Sequence, residues 1–95
     1  MIIAFLWVMA KDRRYITVKN LIESGYIKSF MEIFDTLPKS VVARDLGMNN
    51  RRFTRLMNNV GQFSIIDLLI FASLLEVDKI VFLKLVLQQH DRQGE

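Results

Sequence analysis

The chain has 95 residues with 13 basic and 10 acidic side chains, so its formal net charge at pH 7 is +3. This length predicts one domain, residues 1–95, and the absence of cysteine excludes disulfides and thiolate chemistry and is typical of the reducing cytoplasm. No apolar run approaches the roughly 20 residues that a membrane-spanning helix needs. We therefore expect a cytoplasmic protein without a membrane partner.

Residues able to carry catalysis are scarce. The one histidine, His90, lies in the polar C-terminal stretch, so neither a histidine-based triad nor a zinc site is predicted. The four glycines are scattered, which excludes a glycine-rich phosphate loop. Glu32 and Asp67 are better explained as caps at helix starts than as catalytic acids or bases. We expect a protein that is not an enzyme and needs no metal, cofactor or small-molecule effector.

The first ten residues, MIIAFLWVMA, are entirely apolar and lack the basic leader of a secretory signal. Three interpretations remain open for them: a strand or helix that packs on the domain, a segment that binds a partner, or an artefact of a start codon upstream of Met9. The polar stretch 11–19 follows. In it, Arg13 and Arg14 either form an arm that reaches a phosphate or belong to a solvated tail.

Two helical patterns precede the centre of the chain. The first runs from Val18 to Ser24 and is ended by Gly25. The second begins with a capping box, Ser29 to Glu32, in which the hydroxyl and the carboxylate satisfy two free amides at a helix start. Its predicted core residues are Phe30, Ile33, Phe34 and Leu37.

Residues 38–59, PKSVVARDLGMNNRRFTRLMNN, contain two short helical patterns around a glycine. Gly47 ends the first helix, because the residue just past a helix end often takes a positive φ that only glycine adopts freely. Asn49 or Asn50 then caps the second helix. A turn of about four residues makes the two helices cross steeply. The predicted core positions are Val42, Ala43, Leu46, Phe53, Leu56 and Met57.

The same capping logic predicts two further helices. Ser64 caps a helix over residues 65–76, and Asp78 caps a last helix that continues to about Gln89. The polar residues 90–95 are expected to fray.

The central motif resembles the helix-turn-helix of lambda-repressor-like (Xre-family) DNA-binding domains, through Ala43, Leu46, Gly47, Met48, Phe53 and Leu56. The stretch Ser64–Val77 is similar to the fourth helix of that family, with Ala72 and Leu75 at its small and large core positions. The resemblance covers roughly residues 29–87. It implies an all-α, lambda-repressor-like bundle of about five helices, to which this chain adds a short N-terminal helix. It also implies a transcriptional regulator that binds double-stranded DNA sequence-specifically, with the helix over 49–59 in the major groove.

Positive charge is concentrated on this motif. Residues 38–60 carry five basic side chains against the single acidic Asp45, a local balance of +4. The resemblance implies that the base edges are faced by Asn50, Arg51, Thr54 and Arg55. It implies phosphate contacts from Lys39, Ser40, Arg44, Arg52 and Asn58, and Asn49 adds another short polar group able to bond DNA. The alternative is that these side chains form only a solvated face.

The last two predicted helices carry more apolar residues than one core-facing stripe needs. The surplus positions are Ile66, Ile70, Leu74, Val81 and Leu85. Either a second subunit or the segment 1–10 would cover them. Lambda-repressor-like domains often dimerise through their last helices, so the resemblance implies a homodimer. The rival hypothesis is a protein-interaction module of the antitoxin or adaptor type, which uses this apolar surface to bind another protein.

Overall fold

The computed structural model describes residues 11–94, and within them the backbone forms five α-helices, two 3₁₀-helices and no β-strand. The prediction of an all-α fold is confirmed. The predictions for the apolar segment 1–10 lie outside the described residues. Among residues 11–94, no helix combines the length and apolar character that crossing a membrane requires. The α-helices are α1 (Arg14–Glu23), α2 (Lys39–Asp45), α3 (Asn50–Asn58), α4 (Ile65–Leu75) and α5 (Lys79–Gln93), and the 3₁₀-helices are Met31–Asp35 and Val60–Gln62.

Helix α1 begins earlier than its predicted start at Val18, because Tyr15 belongs to the core. Tyr15 and Val18 are both fully buried. The Asp12 carboxylate accepts hydrogen bonds from the side chain and the backbone amide of Arg14 at 2.7–2.9 Å. These bonds lower the pKa of Asp12 to about 2. The prediction of an arm or solvated tail over residues 11–19 is therefore wrong from Arg14 onwards.

The predicted capping box at Ser29 forms only in part. The Ser29 hydroxyl donates to Glu32 Oε1 at 2.9 Å, and the amide of Lys28 donates to the same oxygen at 3.2 Å. Glu32 thus reaches back to a free amide as predicted, but the hydroxyl bonds the carboxylate rather than a backbone amide. The predicted helix is wrong in type, since a 3₁₀-helix begins at Met31 instead.

Six phenylalanine rings connect the elements of the core. Phe71 of α4 lies at the centre, with its ring centroid 4.9 Å from that of Phe82 and 6.1 Å from those of Phe30 and Phe34. All of these contacts are tilted or edge-to-face, which are the favourable arrangements for aromatic pairs. The chain of contacts continues from Phe34 to Phe53 on α3, and from there to Phe63. Helix α3 is therefore held on the body of the domain by its own phenylalanine.

A buried phenol joins α1 to the end of α2. The Tyr15 hydroxyl donates to Asp45 Oδ2 at 2.7 Å, although the tyrosine is 0% exposed. A buried hydroxyl without a partner would be costly. Burial, and then the bond to the carboxylate, raises the pKa of Tyr15, so the phenol remains a donor. This bond fixes the last residue of α2, next to the turn that leads into α3.

The last two helices begin as predicted, and the second ends later than predicted. The Ser64 hydroxyl accepts from the amide of Asp67, and the Asp78 carboxylate accepts from the first amides of α5. Helix α5 continues to Gln93, so the prediction that residues 90–95 fray is wrong for 90–93. The physical reason is that Gln93 bonds the backbone of another element, as described below.

Candidate nucleic-acid interface

The turn between α2 and α3 is set by Gly47. Gly47 has φ +73°, as the sequence predicted. Its amide donates to the carbonyl of Arg44 at 3.0 Å, and the amide of Met48 donates to the carbonyl of Ala43 at 2.9 Å. This pair of bonds is the Schellman arrangement, which satisfies the free carbonyls at a helix end. The chain is thereby redirected within the short turn 46–49.

Asn49 caps α3, which decides between the two predicted candidates. Its backbone is extended, and its side-chain Oδ1 accepts from the amide of Arg52 at 2.7 Å. The cap occupies that oxygen and leaves the Nδ2 group of Asn49 for a further bond. Asn49 therefore has a structural role, and its predicted contact with DNA would use Nδ2.

Helix α3 has one face in the core and one face in solvent. Phe53 and Met57 are buried, and Leu56 packs partly against the core. The opposite face holds the side chains that the sequence assigned to DNA. All ten predicted contact residues are exposed, on α2, the turn or α3: Lys39, Ser40, Arg44, Asn49, Asn50, Arg51, Arg52, Thr54, Arg55 and Asn58.

The positive charge on α3 is not neutralised locally. Within residues 11–94, no ion pair joins Arg51, Arg52 or Arg55 to a carboxylate. Arg44 differs, because its Nε donates to Asp45 Oδ1 at 3.1 Å and this bond raises the pKa of Arg44. The face therefore offers three guanidinium groups whose charge is available to an anionic partner.

Two of these arginines share a polar groove. Arg52 and Arg55 line it together with Asn59 and Gln62, where α3 meets the following 3₁₀-helix. Arg51 is not part of its lining. Neither Asn59, the last residue of the helix predicted over 49–59, nor Gln62, in the segment after it, was among the predicted contact residues. Their polar character directly after a basic helix was the available signal.

The apolar surface predicted on the last two helices is only partly present. Ile66, Ile70 and Val81 are exposed, at 69%, 41% and 45%. Leu74 is 2% exposed, so its prediction as a surface position is wrong, whereas Leu85 is half-buried and packs partly against the core. The reason for Leu74 is geometric. A spacing of four residues advances about 40° around a helix, so two such steps turn Leu74 about 80° away from Ile66.

The apolar side chains of α4 border an open groove of about 230 Å³. Its lining contains no charged residue, and Leu74 forms its floor while remaining almost fully buried. Ile65 and Leu69, which were not among the predicted surface positions, are also exposed and enlarge the apolar face. The groove is lined by Ile66, Leu69, Ile70, Ser73 and Leu74.

The exposed face of α3 has the chemistry of a nucleic-acid contact. Guanidinium groups donate two parallel hydrogen bonds to phosphate or to guanine, and amides match adenine. Among residues 11–94, no group of three or more histidine or carboxylate side chains is arranged to hold a metal. Comparison of the chain with protein-family models, curated proteins and solved structures gave no significant match.

Proposed function

We propose that this protein binds double-stranded DNA through α3 and regulates transcription in the cytoplasm, as a helix-turn-helix protein of the lambda-repressor-like class. The observation that carries the proposal is the exposed face of α3, where three arginines have no carboxylate partner among residues 11–94. A face that was only solvated would gain stability from interspersed acidic residues. Helix α3 has none.

The position of α3 supports a role in the major groove. The helix follows a tight turn and is anchored by Phe53 and Met57, so its polar side projects from the domain. In this class the second helix of the motif enters the major groove with its N-terminal part towards the bases. We assign base edges to Asn50, Arg51, Thr54 and Arg55, and phosphates to Lys39, Ser40, Arg44, Arg52 and Asn58.

The test is the salt dependence of duplex binding. We expect measurable affinity for a random-sequence duplex at about 50 mM salt that falls steeply by about 200 mM, because each phosphate contact contributes roughly −0.9 to the slope of log K against log salt. Arg52→Ala should flatten this slope by about one phosphate contact. Fluorescence anisotropy of a labelled duplex measures both quantities.

The matched control is Lys79→Ala. Lys79 is also exposed but lies at the start of α5, about 21 Å along that helix from Gln93, which contacts the end of α3. Its removal takes away the same charge and should leave the slope unchanged. A parent protein without duplex affinity at low salt would contradict the proposal. That result would favour the protein-interaction module, for which the apolar groove on α4 is the supporting observation.

We also propose that the protein is a homodimer that buries the apolar face of α4. The exposed fractions of Ile66 and Ile70 support this, since contiguous apolar patches rimmed by polar residues mark interaction sites. Two copies with recognition helices about 34 Å apart would meet successive major grooves.

Sedimentation of the parent protein at micromolar concentration should give twice the chain mass, and the Ile66→Glu variant should sediment as a monomer. A parent protein that sediments as a monomer would refute the dimer without bearing on duplex binding by one copy.

A further inference from the structure

The end of α3 is tied to the end of α5 by one side chain. Gln93 Nε2 donates to the carbonyl of Met57 at 2.8 Å, and Gln93 Oε1 accepts from the amide of Val60 at 2.9 Å. Met57 is in the last turn of α3, where carbonyls have no partner within the helix, and Val60 begins the 3₁₀-helix that follows. A single amide group therefore satisfies one acceptor and one donor on either side of the point where α3 ends.

A second contact holds the same turn. A Cβ atom at Gly61 would lie 2.8 Å from His90 Cδ2 and 3.1 Å from Nε2, so the imidazole of α5 lies directly against the glycine backbone. His90 and Gln93 are one turn apart on α5. We call these two residues the C-terminal clamp. Because Gly61 has no side chain, the clamp can approach the turn closely.

The clamp holds the turn that completes the basic groove. Asn59 and Gln62, on either side of the clamped backbone, line that groove with Arg52 and Arg55. Asn59 also borders the adjacent polar pocket that Gln93 and His90 line. The polar surface thus continues from α3 onto the end of α5. Gln93 thus ties the C-terminal end of α3 to α5.

We propose that Gln93 is a positioning residue for duplex binding, which holds the C-terminal end of α3 and the groove beside it in the orientation that meets DNA. This inference rests on the proposed function. Gln93 acts through the backbone of residues 57–60 and need not touch the duplex itself. A fixed helix orientation matters for specificity, because a bidentate contact to a base edge requires the guanidinium plane to be aligned.

The experiment compares Gln93→Ala with Gln88→Ala, a matched substitution at an exposed position of the same helix. At a temperature where both variants are folded, Gln93→Ala should lower affinity for a selected site about 3- to 10-fold, and affinity for random duplex by less. The ratio of the two affinities should fall. Gln88→Ala should leave the affinities for the selected site and for random duplex unchanged. A side chain that only stabilises the fold would lower the melting temperature and leave the ratio unchanged, and that outcome would overturn the proposal.

Gln93→Glu keeps the acceptor for the amide of Val60 and loses the donor for the carbonyl of Met57. Its second carboxylate oxygen would face that carbonyl, so the ratio should fall at least as far as in Gln93→Ala, and this variant replaces the alanine variant if that variant does not fold. If neither variant folds, Gln93 is a structural requirement and the positioning role is overturned. Amide exchange of Val60 separates the two proposals. A parent that binds no duplex refutes the proposed function, whereas unchanged exchange of Val60 in Gln93→Ala refutes the clamp.

Discussion

Replacing Phe71 with alanine is expected to lower the free energy of unfolding by about 3–5 kcal/mol. Phe71 is 0% exposed, and its ring contacts Phe30, Phe34 and Phe82. Truncation removes the transfer free energy of a buried ring and leaves a cavity among the surrounding helices. These helices cannot close the cavity unless α4 moves. A domain of this size has about 5–15 kcal/mol of total stability. The loss is therefore a large fraction of it.

Urea denaturation followed by circular dichroism measures this effect. Phe71→Leu is the matched control, since it retains much of the buried volume and should cost about half as much. Ile16→Ala is a second control, because Ile16 is 54% exposed on α1 and should change stability by less than about 0.5 kcal/mol. A loss below about 1 kcal/mol for Phe71→Ala would show that the aromatic cluster does not form the core.

The end of α2 and the start of α3 could be predicted from the sequence because the residues that set them act locally. Gly47 at a helix end and Asn49 at a helix start act within a few residues, and both occupy the predicted positions. The exposed face of α3 follows from the same periodicity, since burying Phe53 and Met57 turns the polar residues outwards. Exposure of the six predicted contact residues that lie on α3 is thus a consequence of helix geometry.

The missed features depend on contacts between distant parts of the chain. The start of α1 was missed because Tyr15 is buried in the core and bonds Asp45, 30 residues away, while the neighbouring Ile16 is exposed. The end of α5 was missed because Gln93 finds its partners 33 and 36 residues earlier in the chain. A terminal polar residue gives no local sign of such a partner. The prediction that Leu74 lies on the surface was wrong for a different reason. Residues spaced by four rotate about 40° per step around a helix, so Leu74 does not share the exposed face of Ile66.

Replacing Arg55 with alanine is expected to lower affinity for a preferred duplex by about 1–3 kcal/mol and to relax the preference at one base pair. Arg55 lies one turn after Arg51, about 40° from it around α3, and about 60° from Arg52. It therefore lies between the other two arginines around the helix, and we expect it to contact a base edge. A guanidinium matches guanine O6 and N7 with two parallel hydrogen bonds.

The comparison with Arg52 separates base contact from phosphate contact. Arg52→Ala should weaken all sequences about equally, because a phosphate contact carries no sequence information. Arg55→Lys should restore affinity only in part, since lysine keeps the charge and loses the planar fork. The experiment selects a preferred site from a random duplex library. It then measures each variant on that site and on its single-base changes, at two salt concentrations, with Lys79→Ala as the matched control.

The competing hypothesis is that Arg55 binds a phosphate in the groove that it shares with Arg52. Arg55 lines the same groove as Arg52, together with Asn59 and Gln62, and such a groove is also suited to hold a phosphate oxygen. If Arg55 binds a phosphate there, Arg55→Ala will weaken every sequence equally and flatten the salt slope as Arg52→Ala does. If Arg55 contacts a base, the loss will concentrate at one position of the site and persist at higher salt. Uniform weakening would therefore reassign Arg55 to the DNA backbone and leave Asn50, Arg51 and Thr54 as the residues proposed to contact bases.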